Sequence, residues 1–315
     1  MKIAHVLNPF KCGKNNPSYL YYAQPITFKS MRKAQLEAKN KNIDVELYAV
    51  NFPEDDEIIP DYFIKLPHLK KSTKTLFPGI SGNKKLPIIQ EMLDLTFKHS
   101  NAKYIIFTNT DIGVQKNFYI SVSNLIKKNK LTSFVINRRD IRKRNNGIRL
   151  THKDEHMDII YNIAKSGKKH PGKDCFIMRR DLIKRINFNN MFTGYPPWGH
   201  TLHTKLSRIS KKHKIFLDLK LTFHLGSDKA WQRNGNKLHR KNTQLSRIVL
   251  RNIQNKNNQN KNNQNKNQQQ LKIKKQKLKQ QKRKIQQQKR KIQQQKKRQQ
   301  RRKKILLRNK NKNKK

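Results

Sequence analysis

Two oxygen-bearing side chains follow directly on a short, continuous apolar segment. Residues 104–107 read Tyr-Ile-Ile-Phe, and Asn109 and Asp111 come shortly after. Such a run is typical of a strand buried on both faces, and open α/β sheets bind ligands at the carboxyl ends of such strands. Oxygen atoms are the ligands that hard divalent cations prefer. The sequence therefore predicts a site for a divalent cation and its phosphates at Asn109 and Asp111. A plain turn is the alternative, since both residue types favour turns.

A histidine later in the chain is a second candidate ligand. His224 stands in the strand-like sequence Thr-Phe-His-Leu-Gly of residues 222–226. A neutral imidazole binds Mn²⁺ well and Mg²⁺ less readily. Asp228 follows and could support such a ligand through a hydrogen bond. The alternatives are a histidine packed in a strand and a simple loop position for Asp228.

Strand and helix patterns alternate before and after this segment. Strand patterns occupy residues 2–7 and 45–50, and helical spacing occurs at 30–38 and 86–97. This alternation predicts an α/β fold, a single Rossmann-like, mostly parallel sheet flanked by helices. Residues 138–149 are expected to form a solvated basic loop, and the alternative is that Arg138, Arg139 and Arg142 to Arg144 neutralise phosphates. Gly113 is expected to permit a bend after Asp111.

Positive charge is concentrated towards the carboxyl end. The 315 residues carry 74 Lys and Arg against 19 Asp and Glu, and no acidic residue occurs from Arg251 onward. The Lys-, Gln- and Asn-rich end has too little apolar surface to offset the entropy of ordering. We therefore expect a folded domain over residues 1–253 and a disordered or partly helical tail over 254–315. A coiled coil is the less favoured alternative, because most heptads of the tail have one apolar position where a stable seam needs two.

The sequence also indicates the cellular compartment of the protein. The two cysteines, Cys12 and Cys175, lie far apart, so neither a disulfide framework nor a cysteine metal site is expected. The first residues lack the features of a secretory signal, and no apolar run approaches the ~20 residues of a membrane helix. We expect a cytoplasmic protein with no transmembrane segment.

Three segments together resemble GT-A fold glycosyltransferases, the nucleotide-diphospho-sugar transferase superfamily. They are Asn109-Thr110-Asp111, residues 174–181 and residues 222–226, within a region of similarity over residues 1–231. The resemblance implies a GT-A-like sheet and a nucleotide-sugar donor. It also implies Mn²⁺ or Mg²⁺, held by an Asp-x-Asp motif and a later histidine. By this resemblance Asn109 and Asp111 bind the donor diphosphate through the metal ion, and His224 completes the metal site. Asn109 stands in place of the first aspartate, which lowers the charge of the ligand set.

The resemblance also implies roles for residues outside this motif. It puts Asn8 and Pro9 beside the donor nucleotide, where a plain turn is the alternative. It puts Asp174 on the acceptor side, as a contact to the acceptor hydroxyl or as the base that deprotonates it. A turn residue before a strand is the alternative there. Tyr195 and Trp198 could stack on a sugar or a base, and a bend around a buried tryptophan is an equal alternative.

Two classes of function are therefore expected. The leading one is a glycosyltransferase that moves a sugar from a nucleotide-diphosphate donor to an unknown acceptor, assisted by a divalent metal. The alternative is a non-catalytic or polyanion-binding protein that acts through its basic tail. Such a tail would bind nucleic acid or another anionic surface by releasing counterions, with little sequence preference.

Overall fold

The computed structural model of the chain describes residues 1–14, 19–226 and 236–312. The chain divides into two compact units, Met1–Ile253 and Gln254–Lys315. The strands are β1 (Lys2–Leu7), β2 (Asp44–Ala49), β3 (Ile64–Lys65), β4 (Tyr104–Thr108), β5 (Ile112–Val114), β6 (Ser133–Ile141), β7 (Arg144–Asn145), β8 (Ile148–Arg149), β9 (Lys168–Arg179), β10 (His213–Phe216) and β11 (Thr222–Leu225). The helices are α1 (Leu20–Lys39), α2 (Thr73–Leu76), α3 (Pro78–Ser81), α4 (Ile89–His99), α5 (Phe118–Asn129), α6 (Asp154–Ser166), α7 (Trp198–Ile209) and α8 (Asn236–Lys312), with 3₁₀ turns at Pro53–Ile58 and Arg180–Arg185.

One mixed sheet organises the first unit. Its order is β3-β2-β1-β4-β9-β6-β11-β5, with β10 also paired to β6. β1 pairs in parallel with β2 and β4, and β6 pairs in parallel with β10 and β11. Since β4 and β6 both run antiparallel to β9, they share one direction, and the carboxyl ends of β1, β4, β6 and β11 meet at one edge. The predicted α/β fold, a mostly parallel sheet flanked by helices, is confirmed.

The sheet is buried on both faces because its strands carry apolar side chains in both directions. In β1, Ile3 and Leu7 pack in the same cluster as Phe28 of α1, whereas Ala4 and Val6 belong to the cluster that contains α4 and α7. All residues of β4 are buried. Period-two alternation sends neighbouring side chains to opposite faces, so a strand between two helical layers must be apolar throughout. This explains the continuous apolar run that precedes Asn109.

The expected basic loop over residues 138–149 is wrong. β6 continues to Ile141, beyond its apolar part, and residues 144–149 form the antiparallel ribbon β7–β8. Asn146 and Gly147 connect its strands with φ of 48° and 76°. These values suit the two-residue hairpin turn that an Asn-Gly pair favours.

Gly113 has a different role from the one expected. It lies inside β5, opposite Phe223 of β11. A Cβ atom at this position would overlap the Phe223 ring. Glycine is therefore required for the close approach of two strands rather than for a bend.

Residues 254–312 of the second unit belong to helix α8. Leu271 and Leu278, two members of the seven-residue register, are 56% and 54% exposed. No helix in the described ranges combines the length and apolarity needed to cross a membrane.

Candidate functional site

Asp111 and His224 meet at the edge where the parallel strands end. The Nε2 atom of His224 lies 3.2 Å from Oδ2 of Asp111. The Asp111 side chain keeps 24% of its surface exposed and that of His224 9%, so the pair is accessible to a ligand mainly through the carboxylate. The other carboxylate oxygen, Oδ1 of Asp111, is buried and has no hydrogen-bond partner among the described residues.

Strand pairing brings these two residues together. β5 follows Asp111 directly and runs antiparallel to β11, with Ile112 opposite His224. On its other side β11 pairs with β6, where His224 lies opposite Asp140. The short strand β5 therefore reverses the chain direction after β4 and places Asp111 beside the end of β11.

The backbone fixes the tautomer of His224. Its Nδ1 atom lies 2.7 Å from the carbonyl oxygen of Gly226, a contact in which only an N–H can donate. A neutral His224 therefore presents the lone pair of Nε2 to the carboxylate of Asp111. Two lone pairs repel unless a proton or a cation lies between them. Histidines that bind metals usually donate their second ring N–H to a carbonyl or a carboxylate, as His224 does.

The charges at the site favour the ion pair when no metal is bound. Burial raises the pKa of Asp111, but the His224 imidazole, and after it the Arg138 guanidinium, lower it by more, so the net shift is downward. Burial lowers the pKa of His224, but the Asp111 carboxylate raises it by more, so the net shift is upward. Both shifts favour a carboxylate beside an imidazolium, and a metal ion that binds Nε2 has to displace any proton on that atom.

Arg138 connects this pair to two further acids. Its Nε donates to Oδ1 of Asp140 at 2.9 Å, and its Nη1 donates to Oδ2 of Asp174 at 2.7 Å. The three side chains are only 12–14% exposed. Asp140 Oδ1 also lies 3.9 Å from Nδ1 of His224. The guanidinium therefore compensates acids that would otherwise repel one another beside Asp111.

Asp174 lies in β9 at this same edge. Its Oδ2 accepts from Arg138, and the neighbouring His170 contacts Arg138 Nη2 through Nε2 at 3.4 Å. The amide of Gly172 donates to Nδ1 of His170 at 2.8 Å. Burial, and after it the Arg138 charge, lower the pKa of His170. Asp174 is therefore a strand residue within a charged network. Arg138 and Asp140 connect this network to the Asp111–His224 pair.

The residues predicted to bind the donor lie at the same edge. Val6 of β1 is in register with Phe107 of β4, and Asn8 and Asn109 each stand two positions further on. Asn109 is half-buried. Asn8 donates from Nδ2 to the carbonyl of Val50 at 2.7 Å, and Pro9 is buried. Asn8 thus links the end of β1 to the end of β2. Asn109, in contrast, lies two positions before Asp111 in the sequence and follows the same strand, β4.

Tyr195 and Trp198 lie in the core instead. They are 2% and 6% exposed. The Trp198 ring packs against Phe107 at 5.7 Å and Phe176 at 5.6 Å between ring centroids. The Tyr195 hydroxyl accepts from Lys84. Buried rings have no free face for a sugar or a base, so these two residues are a correction to the predicted acceptor site: the bend around a buried tryptophan describes them.

The pair meets the requirements of a metal site only in part. Within the described ranges, no three His, Cys, Asp or Glu side chains gather closely enough to enclose a metal ion. Asp228 lies outside the described residues. Asp111 and His224 nevertheless supply one oriented imidazole and one carboxylate, whose buried oxygen has no partner within the described ranges. Mg²⁺ is commonly bound by one or two carboxylates together with substrate phosphates and water, so two protein ligands suit a metal that arrives with a diphosphate.

Sequence reasoning considered Arg138 only as a phosphate contact or as part of a basic loop, and it missed Asp140 and His170. The run Arg138-Arg139-Asp140 contains a partly buried ion pair, which its basic composition conceals. The sequence did contain one indication of this ion pair. Arg139 and Asp140 are neighbours at the end of a strand, so their side chains point to opposite faces of the sheet. Arg139 is paired there with Asp218.

Comparison with known proteins found no matching protein-family model and no matching curated protein. Among solved structures, S. aureus TarS 1-349 in complex with UDP-GlcNAc aligns with 79% of this chain at 11% identity and a TM-score of 0.46. Glucosyl-3-phosphoglycerate synthase from Mycobacterium tuberculosis, in complex with Mn²⁺, UDP-Glc and phosphoglyceric acid, aligns with 79% of each chain at 12% identity and a TM-score of 0.43. The chain covers 65% and 60% of two TarS chains, less than two thirds of either. At these values the similarity concerns the arrangement of elements only.

Proposed function

We propose that the first unit is a glycosyltransferase that uses a nucleotide-diphosphate sugar. The observation that supports this most strongly is the pairing of His224 Nε2 with Asp111 Oδ2 at the carboxyl edge of a mostly parallel sheet. The other oxygen of this carboxylate has no hydrogen-bond partner among the residues that the structure describes. Ligands of such sheets bind at this edge. The solved structures with a similar arrangement of elements were determined with UDP-GlcNAc and with UDP-Glc and Mn²⁺, which is consistent with the proposal.

In this proposal Asp111 and His224 are the protein ligands of a divalent cation, Mn²⁺ or Mg²⁺, and Asn109 contributes its amide oxygen to the ion or the diphosphate. When bound, such an ion stabilises the negative charge that grows on the leaving diphosphate. Because its Nδ1–H is held by Gly226, His224 keeps Nε2 aimed at the ion. Asn8 and Pro9, at the end of β1, border the same edge and would contact the nucleotide.

Asp174 is the proposed contact to the acceptor hydroxyl. Arg138 fixes one of its oxygens at 2.7 Å, which orients the carboxylate and leaves the other oxygen to accept a hydrogen bond. The same guanidinium donates to both Asp174 and Asp140 and so holds the two carboxyl groups beside each other. In this arrangement Arg138 is a positioning residue, because it acts through the two carboxylates.

A panel of nucleotide sugars tests the proposal. Thermal unfolding of the full chain is followed with each nucleotide sugar, with and without Mn²⁺. A ligand that binds the folded state raises the midpoint by mass action. We expect at least one nucleotide sugar to stabilise the first unit, and to do so more strongly with Mn²⁺. If no member of the panel shifts the midpoint under either condition, the proposal is wrong.

We propose a second function for residues 254–315, the binding of nucleic acid through the phosphate backbone. The described side chains of α8 include eleven exposed cations: Lys274, Lys279, Lys289, Arg290, Lys291, Lys296, Lys297, Arg298, Arg301, Arg302 and Lys303. At about 1.5 Å per helical residue they occupy about 45 Å. Successive residues turn by about 100°, so these charges surround the helix rather than forming one face. A duplex groove flanks a helix with phosphates on both sides, whereas a flat membrane would meet only one side.

Such binding is electrostatic and has little sequence preference. No aromatic residue occurs from Arg251 onward, so stacking on bases is not expected. The test is binding of a labelled duplex DNA and a labelled RNA to the full chain over a series of salt concentrations. We expect affinity to fall steeply with salt for both. Affinity independent of salt would refute this second function.

A further inference from the structure

His170 of β9 stands between two hydrogen-bond donors. The amide of Gly172 donates to its Nδ1 at 2.8 Å, and Nη2 of Arg138 faces its Nε2 at 3.4 Å. A backbone amide nitrogen and a guanidinium can only donate, whereas a neutral imidazole has a lone pair on one ring nitrogen and a proton on the other. His170 can therefore accept one of these two hydrogen bonds but not both.

The Gly172 amide decides the tautomer of His170. Its distance of 2.8 Å is usual for a hydrogen bond, whereas the 3.4 Å to Arg138 is longer than the usual range. A Cβ atom at Gly172 would lie 2.6 Å from Nδ1 of His170, so glycine is required for this close approach. Burial, and after it the Arg138 charge, lower the pKa of His170, which favours the neutral ring. The lone pair is thus on Nδ1, and the proton is on Nε2.

Two N–H groups consequently face each other, on Nε2 of His170 and on Nη2 of Arg138. The other donors of the guanidinium are engaged, Nε with Asp140 at 2.9 Å and Nη1 with Asp174 at 2.7 Å. In the part of the chain that the structure describes, no oxygen atom accepts from Nη2 of Arg138 or from Nε2 of His170. One acceptor atom between the two nitrogens would satisfy both donors.

The surrounding charges favour an uncharged acceptor atom. The guanidinium of Arg138 already donates to Asp140 and Asp174, so an anion beside it would also meet two carboxyl groups. A hydroxyl oxygen is neutral, accepts two hydrogen bonds and donates one through its own proton. Asp174 accepts from Arg138 through Oδ2 and has a second oxygen for that proton. The Arg138 side chain is 14% exposed and His170 is half-buried, so a ligand can reach them.

We propose that Nη2 of Arg138 and Nε2 of His170 bind the oxygen of one substrate hydroxyl group, which donates in turn to Asp174. The inference rests on the proposed glycosyl transfer. The network adjoins the proposed metal ligands, because the Asp140 oxygen that accepts from Arg138 lies 3.9 Å from Nδ1 of His224. Hydroxyl groups occur both on a donor sugar and on an acceptor, and kinetics separate these two sources.

The first test measures the tautomer of His170. Long-range ¹H–¹⁵N correlation spectra of the full chain without ligand report which imidazole nitrogens carry protons. The signals of His170 are those that disappear in His170→Phe, whereas His99→Phe, at an exposed histidine of α4, removes a different set. We expect a neutral His170 with its proton on Nε2 at neutral pH. A proton on Nδ1, or on both nitrogens, would overturn the proposal.

The second test follows hydrolysis of the nucleotide sugar that stabilises the chain most strongly, with water in place of the acceptor hydroxyl. His170→Phe keeps a ring but removes the donor, whereas His170→Gln restores an N–H group near the position of Nε2. If the hydroxyl belongs to the acceptor, we expect kcat to fall about tenfold in His170→Phe with KM unchanged. If it belongs to the donor sugar, KM rises about tenfold instead. His170→Gln should recover most of the loss, and His99→Phe should match the wild type.

Either change in His170→Phe supports the proposal and identifies the substrate that carries the hydroxyl. Unchanged kcat and KM in His170→Phe, or an equal loss in His170→Gln, would overturn it. If the wild type binds no nucleotide sugar, the glycosyltransferase proposal is wrong and the hydroxyl assignment fails with it. The tautomer measurement shows separately whether the two donors face each other.

Discussion

The imidazole of His224 faces the carboxylate of Asp111 across 3.2 Å, although 113 positions separate the two residues. Their meeting depends on β5, which turns back from the end of β4 and pairs with β11. One oxygen of Asp111 is buried there and has no hydrogen-bond partner in the part of the chain that the structure describes. Two consequences of this arrangement, and three of other parts of the chain, can be measured.

Replacement of Gly113 should disturb the pairing of β5 with β11, which brings Asp111 and His224 together. In Gly113→Ala the new Cβ would overlap the Phe223 ring, which adjoins His224 in β11. We expect a loss of about 1–3 kcal/mol in the free energy of unfolding, as is typical of overpacked sites, measured by urea denaturation. Gly79→Ala is the control, because nothing lies within 4 Å of a Cβ at Gly79. Equal stability of the two variants would argue against the close approach of β5 and β11.

Acid should destabilise the protein through His5. This side chain is fully buried between Tyr119 and Thr108, and burial lowers its pKa from 6.5 to about 3. Between these two values the unfolded chain holds a proton that the folded chain does not. The free energy of unfolding therefore falls as the pH falls from about 6.5 towards 3, by up to about 1.4 kcal/mol per pH unit from this group.

The variant His5→Gln isolates this contribution. Urea denaturation at several pH values between 4 and 7 gives the slope of stability with pH for wild type and variant. We expect a smaller slope in His5→Gln, whatever its absolute stability. His99→Gln, which replaces an exposed histidine of α4, is the control for the change of histidine to glutamine. A slope unchanged in His5→Gln would mean that His5 does not stay neutral in the fold.

Trp198 should matter to stability rather than to ligand contact. It packs between Phe107 of β4 and Phe176 of β9. Trp198→Ala is expected to cost about 3–5 kcal/mol, the usual range for emptying a large aromatic site in a core. Leu217→Ala, at a residue 66% exposed, should cost far less. A fully stable Trp198→Ala protein would contradict the core role of this ring.

The tail's cations should set the salt dependence of nucleic-acid binding. Replacing Lys296, Lys297 and Arg298 by Gln keeps helix propensity nearly constant while removing three exposed charges. Each lost phosphate contact should reduce the slope of log affinity against log salt by about 0.7–0.9. The control replaces Lys39, Lys41 and Lys98, exposed lysines of the first unit, by Gln. Equal slopes in the two triple variants would show that charge position is irrelevant and would refute a specific role for α8.

The fold and the central pair could be predicted because they follow from local patterns. A doubly buried strand has to be apolar throughout, and the polar residues that end it mark the ligand-binding edge. Asp111 and His224 both lie at strand ends, so each was recognisable without knowledge of the other. The contact between them was not predictable from spacing, because it depends on β5, a strand of three residues.

The charged network was hidden for a different reason. Arg138 and Asp140 stand in a run of basic residues, and such runs are usually solvated, yet here β6 extends through them and buries an ion pair. Tyr195 and Trp198 were misassigned because an aromatic ring on a loop and one in the core have the same sequence. The ribbon β7–β8 did have a local signal, the Asn146-Gly147 pair, which the surrounding charge obscured.

Binding of Mn²⁺ in the presence of UDP tests the central claim most directly. Free Mn²⁺ is followed by its electron paramagnetic resonance signal during titration with wild type, Asp111→Asn, and Asp44→Asn, the last of which alters an exposed acid at the start of β2. The account predicts that wild type and Asp44→Asn deplete the free-ion signal only when UDP is present, and that Asp111→Asn does so at least tenfold less. Equal depletion by Asp111→Asn and wild type would contradict it.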